Sequence, residues 1–407
     1  MTAISPVVLH DAPVSHTPLS LALGYSGQVQ ELQQKYRDFI DEVCIPREDA
    51  TLLHDIEKQD ALMATLRAKA SERGLYGPMI PVELGGLGLN LRDGSVILEE
   101  LGRSHLGPAA VHSGAPDETN IAMLNRLANP GQRERYLLPL AQAEIRSCFA
   151  MTEPAPGAGS DPSMMRTRAV RANGGWVING HKWFISGAMG AQFAIVMAST
   201  DDGPTMFLVD ADNPGYRVVR DIACLSATLS SHCEVSFTDC FVADDAVLGE
   251  AGRGFHYAQV RLEPARITHC MRYIGMARRA MEIAQAYVAK RQSFGNTLAE
   301  NQLVQSLVAD SHIDLHAARL MTWHVCAQVD LGETVKHQSA ITKVFVSEAV
   351  NRVVDRALQL CGAYGIAEES ELALMYRNVR EFRIIDGASE VHRVAIAKRV
   401  LKQNLAP

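Results

Sequence analysis

A chain of 407 residues, 47% hydrophobic and 21% charged, carries enough apolar material for two or three packed layers around a substantial core. Its net charge of −7 argues against a nucleic-acid binder and against adsorption to anionic membranes. No apolar run is long enough to span a bilayer, and the eight cysteines (44, 148, 224, 233, 240, 270, 326 and 361) contain no C-x-x-C pair, which predicts reduced core thiols and a cytoplasmic location.

Residues 1–26 mix Pro, Ser, Thr and His, with Asp11, no Arg and no apolar h-region; this predicts a loosely docked arm, not a signal or transit peptide. From 27 to 146 the pattern is helical, with Leu32, Tyr36, Phe39 and Ile40 on one face and Leu62, Leu66 and Ala70 on another. Inside it, Pro81–Gly88 (PVELGGLG) lacks the G-x-G-x-x-G spacing and a leading strand, so it reads as a turn. From 147 to 254 short strands alternate with NG, DG and NPG turns: Phe193–Ala198, Met206–Val209, Tyr216–Val219 and Glu234–Phe237 predict a β domain of antiparallel strands. From 255 to 407 helices return. Ile274, Ala277, Met281, Ala284 and Val288 mark the first, Val304, Val308, Leu315, Ala318, Val325 and Val329 the second, and Ile341, Phe345, Ala349, Val353, Ala357 and Leu360 the third. No internal repeat or low-complexity segment interrupts the order helices, sheet, helices.

Two stretches carry candidate chemistry. Cys148–Ala188 (CFAMTEPAPGAGSDPSMMRTRAVRANGGWVINGHKWFISGA) gathers backbone N–H groups, hydroxyls and an aromatic ring on the loops of a hairpin-rich sheet, which suits a flat polar heterocycle stacked on a ring. Taken singly, Thr152, Ser160 and Ser186 would be ordinary turn residues. In Arg380–Arg393 (REFRIIDGASEVHR), Asp386 sits beside Ile384 and Ile385, whose apolar character is expected to raise its pKa and tune it as a base. The competing reading is an Asp-Gly turn or the start of the last helix. His312 and His316 lie at i, i+4 around Asp314, but without a third ligand they read as a solvated helix face, and no metal is expected.

TEP followed by GAGSD and then W-F-I-S resembles the flavin-binding core of the acyl-CoA dehydrogenase family. The resemblance covers nearly the whole chain after the first 25 residues and implies an N-terminal helical domain, an antiparallel β domain and a C-terminal four-helix bundle. It implies FAD, with Thr152 at the pyrimidine edge of the ring, Phe184 over one face and Ser186 at N5; Phe149, Met151 and Ile185 belong to the same contact set. R-x-x-F-G…Q (Arg291, Phe294, Gln302) and Q-x-x-G-G-x-G (Gln359, Gly362, Ala363, with Ala for the second Gly) resemble elements that reach the FAD pyrophosphate and adenine bound by a neighbouring subunit. That implies a homodimer or homotetramer. As residues read alone, Arg291 is a helix C-terminal cation and Gly362 a helix stop.

By the same resemblance Asp386 is the catalytic base, where most relatives carry Glu; Asp is about 1.5 Å shorter in reach. Ser160, Glu263, Arg266 and Gly387 fall at substrate-binding positions, and Ala388 and Glu390 at cofactor-binding ones. Ala155-Pro156 separates TEP from GAGSD, where most relatives run straight on. APDETNIAMLNR, SCFAMTEP, RLEPARITHCMR and IIDGASEVH are most similar to the branch known in animals as members ten and eleven. The implied activity is dehydrogenation of an acyl-CoA to the trans-2-enoyl-CoA, with an electron-transferring flavoprotein or oxygen as acceptor. The alternatives are a flavin nitroalkane oxidase, which uses an Asp base and for which Arg393 is compatible, and an inactive scaffold of the same fold.

Overall fold

The computed structural model describes residues 24–49, 56–226 and 231–404. The expected N-terminal arm lies outside the described residues except for its last three positions; there Tyr25 is buried, its hydroxyl donating to the Arg92 carbonyl at 3.0 Å. Ser26 then starts α1 (Gly27–Phe39) by accepting the Val29 N–H at 3.3 Å. Helices α2 (Ile56–Glu72), α3 (Leu91–Gly102) and α4 (Asp117–Leu127) follow. Tyr36, Phe39, Ile40, Leu66 and Ala70 are buried, and Leu32 and Leu62 pack partly buried against the same core. The glycine-rich stretch at 81–88 is a turn: Gly85 and Gly88 have φ of 91° and 62°, and a Cβ at Gly86 would lie 2.2 Å from the Ile80 carbonyl oxygen.

Seven strands follow: β1 (Ser147–Ala150), β2 (Arg168–Ala172), β3 (Gly175–Ser186), β4 (Phe193–Thr200), β5 (Gly203–Asp210), β6 (Tyr216–Asp221) and β7 (His232–Ala243). They form one sheet in the order β1-β4-β2-β3-β7-β6, with β5 beside β4. The hairpins β2–β3, β4–β5 and β6–β7 and the β3–β7 pair are antiparallel, as the turn signals predict. The exceptions to the expected antiparallel domain are β1–β4, which is parallel over four residue pairs, and a single parallel bridge between β2 and β4. The reason is topological: β1 is separated from β4 by the whole β2–β3 hairpin, and that crossover returns the chain in the same direction.

The C-terminal helices are α5 (Gly254–Lys290), α6 (Gln302–Asp330), α7 (Lys336–Cys361), α8 (Glu371–Glu381) and α9 (Ser389–Asn404). The stripe Ile274, Ala277, Met281, Ala284, Val288 is buried against Leu315 and Ala318 of α6 and Val353, Ala357 and Leu360 of α7. The N-terminal helices dock on α5 where two glycines remove the side chains: a Cβ on Gly102 would lie 2.0 Å from the Arg272 carbonyl oxygen, and one on Gly275 2.0 Å from that of Glu99. Around this crossing Glu99 accepts from Arg278 and Arg319, each at 2.8 Å, and Glu100 pairs with Arg37 and Arg278. No helix of the described residues is long and apolar enough to cross a membrane. All eight cysteines are unpaired thiols, seven of them buried.

Candidate active site

Strand β1 delivers the chain to Met151 and Thr152, and β3 holds it there. The Trp183 N–H donates to the Thr152 carbonyl at 3.0 Å, and Lys182 Nζ donates to the Met151 carbonyl at 2.9 Å. The same ammonium pairs at 2.9 Å with Glu153, and the two side chains are 0% and 2% exposed. Glu153 also accepts the backbone N–H groups of Ala158, Arg166 and Thr167 at 3.2, 2.7 and 2.8 Å. Burial alone would raise its pKa; the Thr167 hydrogen bond and the Lys182 charge outweigh that and hold it at about 2. Burial pushes Lys182 down to about 8 against the pull of Glu153. The Ala155-Pro156 insertion closes as a turn around this carboxylate, with the Glu153 N–H on the Ala158 carbonyl at 2.7 Å and the Gly157 N–H on that of Pro154 at 2.8 Å. Ser160 lies beyond the turn, exposed.

Opposite Thr152, the β3–β7 register breaks between Lys182 and Ile185, so Trp183 and Phe184 leave the ladder. Such a bulge re-aims side chains. Phe184 has φ of 51° and stays 46% exposed, edge-on to Trp183 with ring centroids 5.0 Å apart. Ile185 is buried, and Ser186 Oγ lies 2.9 Å from His232 Nδ1 on β7. An available aromatic face, a tethered threonine and a hydroxyl along one rim fit a flat heterocycle such as the isoalloxazine of FAD. Beside them opens a cavity of 460 Å³, lined by Ser147, Gly187 and His232 and by Arg67 and Arg146 from the first domain.

Asp386 lies in the turn between α8 and α9, with φ of 55° and a side chain only 13% exposed. Its backbone carbonyl accepts Arg266 Nε at 3.1 Å and lies 3.0 Å from His392 Nε2, while Lys343 Nζ donates to the Gly387 carbonyl at 2.7 Å. Its Oδ2 is 2.5 Å from His269 Nδ1. The expected upward tuning by Ile384 and Ile385 is therefore corrected. Burial does push Asp386 up, but His269, Arg261 and Arg266 outweigh it and hold the carboxyl well below the usual range. Ile384 is 61% exposed, so it supplies little of that burial. Arg261 connects the acid to the β domain: its guanidinium lies 4.3 Å from the Phe149 ring centroid, and its Nε donates at 2.8 Å to Asn120, which in turn donates to Ser147 at 2.9 Å. Glu263 lies partly buried on α5 near Arg266. Ala388 leads into α9, where its carbonyl accepts the His392 N–H at 3.1 Å, and Glu390 is exposed on the first turn. Arg393 is drawn to Glu348 and Glu390, at 3.4 and 3.7 Å.

Arg291, Phe294, Gln302, Gln359, Gly362 and Ala363 gather elsewhere. Arg291 ends α5, Phe294 caps a two-residue hairpin, and Gln302 opens α6. Tyr287 stacks on Tyr364 with centroids 5.9 Å apart, which brings the Gln359–Ala363 turn to the same end of the bundle. All six are exposed, Phe294 fully so, and Leu303, Tyr364 and Ile366 extend the exposed apolar face. Arg266 and Arg291 stand 25 residues apart on or at the end of α5, about 37 Å along its axis at 1.5 Å per residue. Within one protomer the length of α5 thus holds this second group far from Arg266 and the Asp386 turn that Arg266 contacts. Asp314 instead pairs with Arg352 and Arg356, and His312 Nε2 lies 2.7 Å from Gln285.

Sequence reasoning passed over Glu153, Lys182, Arg261, His269, Lys343 and His392. His269 was findable: it follows Arg266 by three residues and so shares its helix face. Lys343 and His392 meet Asp386 only through the packing of α7 and α9.

Family models of the acyl-CoA dehydrogenase N-terminal, middle and C-terminal domains match residues 26–144, 148–240 and 252–401. The chain is 34% identical over 93% of its length to mouse acyl-CoA dehydrogenase family member 10, of which it spans 37%. It is 37% identical over 83% of its length to (R)-benzylsuccinyl-CoA dehydrogenase of Thauera aromatica, of which it covers 84%. The structure of butyryl-CoA dehydrogenase from Megasphaera elsdenii superposes with a TM-score of 0.82 at 26% identity, covering 92% of this chain and 98% of that one. With all three domains matched in order around the site just described, the chain belongs to the acyl-CoA dehydrogenase family of FAD-dependent oxidoreductases.

Proposed function

We propose that this protein oxidises an acyl-CoA thioester to its trans-2-enoyl-CoA, with Asp386 as the base. The observation that carries the reading is the position of Asp386: a largely buried, ionised carboxylate in the field of Arg261, whose guanidinium lies over Phe149 on the strand that leads to Thr152. Thr152, Phe184 and Ser186 would hold the isoalloxazine, with Phe149, Met151, Ile185, Ala388 and Glu390 around it. The chemistry FAD supplies when bound is acceptance of the β-hydride. Asp386 takes the α-proton, and Arg266 and Gly387 fix the turn that presents it. Glu263 and Ser160 lie on the substrate side, Ser160 at the exposed end toward CoA.

Arg291, Phe294, Gln302, Gln359, Gly362 and Ala363 would reach the pyrophosphate and adenine end of a cofactor bound by a second copy, because the length of α5 keeps them from the cofactor of their own protomer. The working form is therefore a homodimer or homotetramer, and electrons leave to an electron-transferring flavoprotein or to oxygen. The nitroalkane oxidase alternative loses support because Arg393 is engaged by Glu348 and Glu390.

The test is anaerobic mixing of the flavin-loaded protein with a panel of acyl-CoAs and with nitroethane. Bleaching by an acyl-CoA, absent in Asp386→Asn with its flavin retained, is expected. Rapid bleaching of that variant, or bleaching by nitroethane alone, overturns the proposal.

A further inference from the structure

We infer that His269 is a positioning residue that assigns the two oxygens of Asp386, an inference that rests on Asp386 being the base. An ionised carboxylate only accepts, so the 2.5 Å contact requires the hydrogen on His269 Nδ1. Oδ2 is thereby occupied and Oδ1 is left as the oxygen that takes the α-proton. The geometry explains how a short carboxylate is used here. The Asp386 and Gly387 carbonyls are fastened by Arg266, His392 and Lys343, which fixes the backbone, and the side chain's two remaining rotations, about Cα–Cβ and Cβ–Cγ, are restrained by His269. His269 is itself seated, lying 6.4 Å from the Tyr273 and Phe382 rings, which stack on each other at 4.3 Å.

The charged and titratable groups around the pair include Arg261, Glu263, Arg266, Cys270 and Tyr273 on α5, Lys343 on α7 and His392 on α9, with Glu381 on α8 held by the Tyr273 hydroxyl at 2.7 Å. The hydrogen bond to the carboxylate itself comes from His269.

The experiment compares wild type, His269→Ala and His269→Asn as flavin-loaded protein. Misdirecting a reacting group costs on the order of 100-fold, so His269→Ala should lose about that in the limiting rate of flavin reduction by the best acyl-CoA of the panel. Its substrate affinity should change little. Its acid limb should move to higher pH, because the ionised carboxyl has lost a donor. His269→Asn, whose amide can donate from nearly the place of Nδ1, should recover part of the rate. A wild-type rate and acid limb in His269→Ala, or no gain from Asn over Ala, overturns the inference. A readout independent of turnover is the carboxyl ¹³C titration of Asp386 in substrate-free protein, assigned with Asp386→Asn. Its midpoint should rise in His269→Ala, and an unmoved midpoint overturns the inference. If no acyl-CoA reduces the wild type, the proposed reaction fails while this titration still decides what His269 does.

Discussion

Replacing Lys182 by Met would test whether the cofactor rim is held by one buried ion pair. Lys182 loses two interactions at once, the 2.9 Å bond to the Met151 carbonyl and the 2.9 Å pair with Glu153. Removing one member of a buried pair costs about 3–5 kcal/mol, because the partner is left as an uncompensated charge. The lost bond to a backbone carbonyl adds about 1 kcal/mol. Against this, Glu153 keeps three backbone N–H donors, so a net loss of about 3–4 kcal/mol is expected, within the range given for such breaks. Because Met151 and Glu153 flank Thr152, the loss should appear twice: as a lower denaturant midpoint and as faster release of flavin on dilution. Glu153→Gln/Lys182→Met removes both charges and should be more stable than Lys182→Met alone. If Lys182→Met unfolds at the wild-type midpoint and keeps its flavin as firmly, the clamp is not what shapes this rim.

Acid should detach the N-terminal helices. Glu48 and Glu99 are held at about 2 against an ordinary 4.5, burial being outweighed by His105 and Arg279 for Glu48 and by Arg319 and Arg278 for Glu99. With folded values below the unfolded ones, their contribution of about 3 kcal/mol each is complete above pH 4.5 and disappears between pH 4.5 and 2. Glu99→Gln should flatten that limb of a stability-versus-pH curve; an unchanged limb contradicts it. Gly275→Ala places a methyl 2.0 Å from the Glu99 carbonyl oxygen and should cost about 1–3 kcal/mol or more, read as a drop in melting temperature. Phe294→Ser should leave the protomer folded, since the ring is fully exposed, but shift sedimentation toward monomer with loss of flavin. A flavin-loaded Phe294→Ser oligomer would count against the role proposed for that end of the bundle.

The order helices, sheet, helices was legible in the chain because hydrophobic spacing is a local property: the stripes Ile274–Val288 and Tyr36–Ile40 read the same in sequence and in the folded core. Thr152, Phe184, Ser186 and Asp386 were singled out by the resemblance of the short strings that hold them, since turn chemistry alone makes Thr152 and Ser186 ordinary turn residues and leaves Asp386 open. The pKa of Asp386 was not. Reading Ile384 and Ile385 as its surroundings assumed that chain neighbours are spatial neighbours, whereas Ile384 points to solvent and the groups that set the charge are His269, Arg261 and Arg266, 117 or more residues away. The parallel β1–β4 pair and the Glu153–Lys182 clamp escaped notice in the same way, being contacts across a crossover and between strands.

Local pattern, then, determined which elements form and which residues end them, because backbone propensity and amphipathic spacing act over a few residues. Only the tertiary structure decided which charges share a low-dielectric pocket, since electrostatic coupling depends on distance through space. That is why the residue types of this site were visible in the sequence, and the protonation and aim of its carboxylate were not.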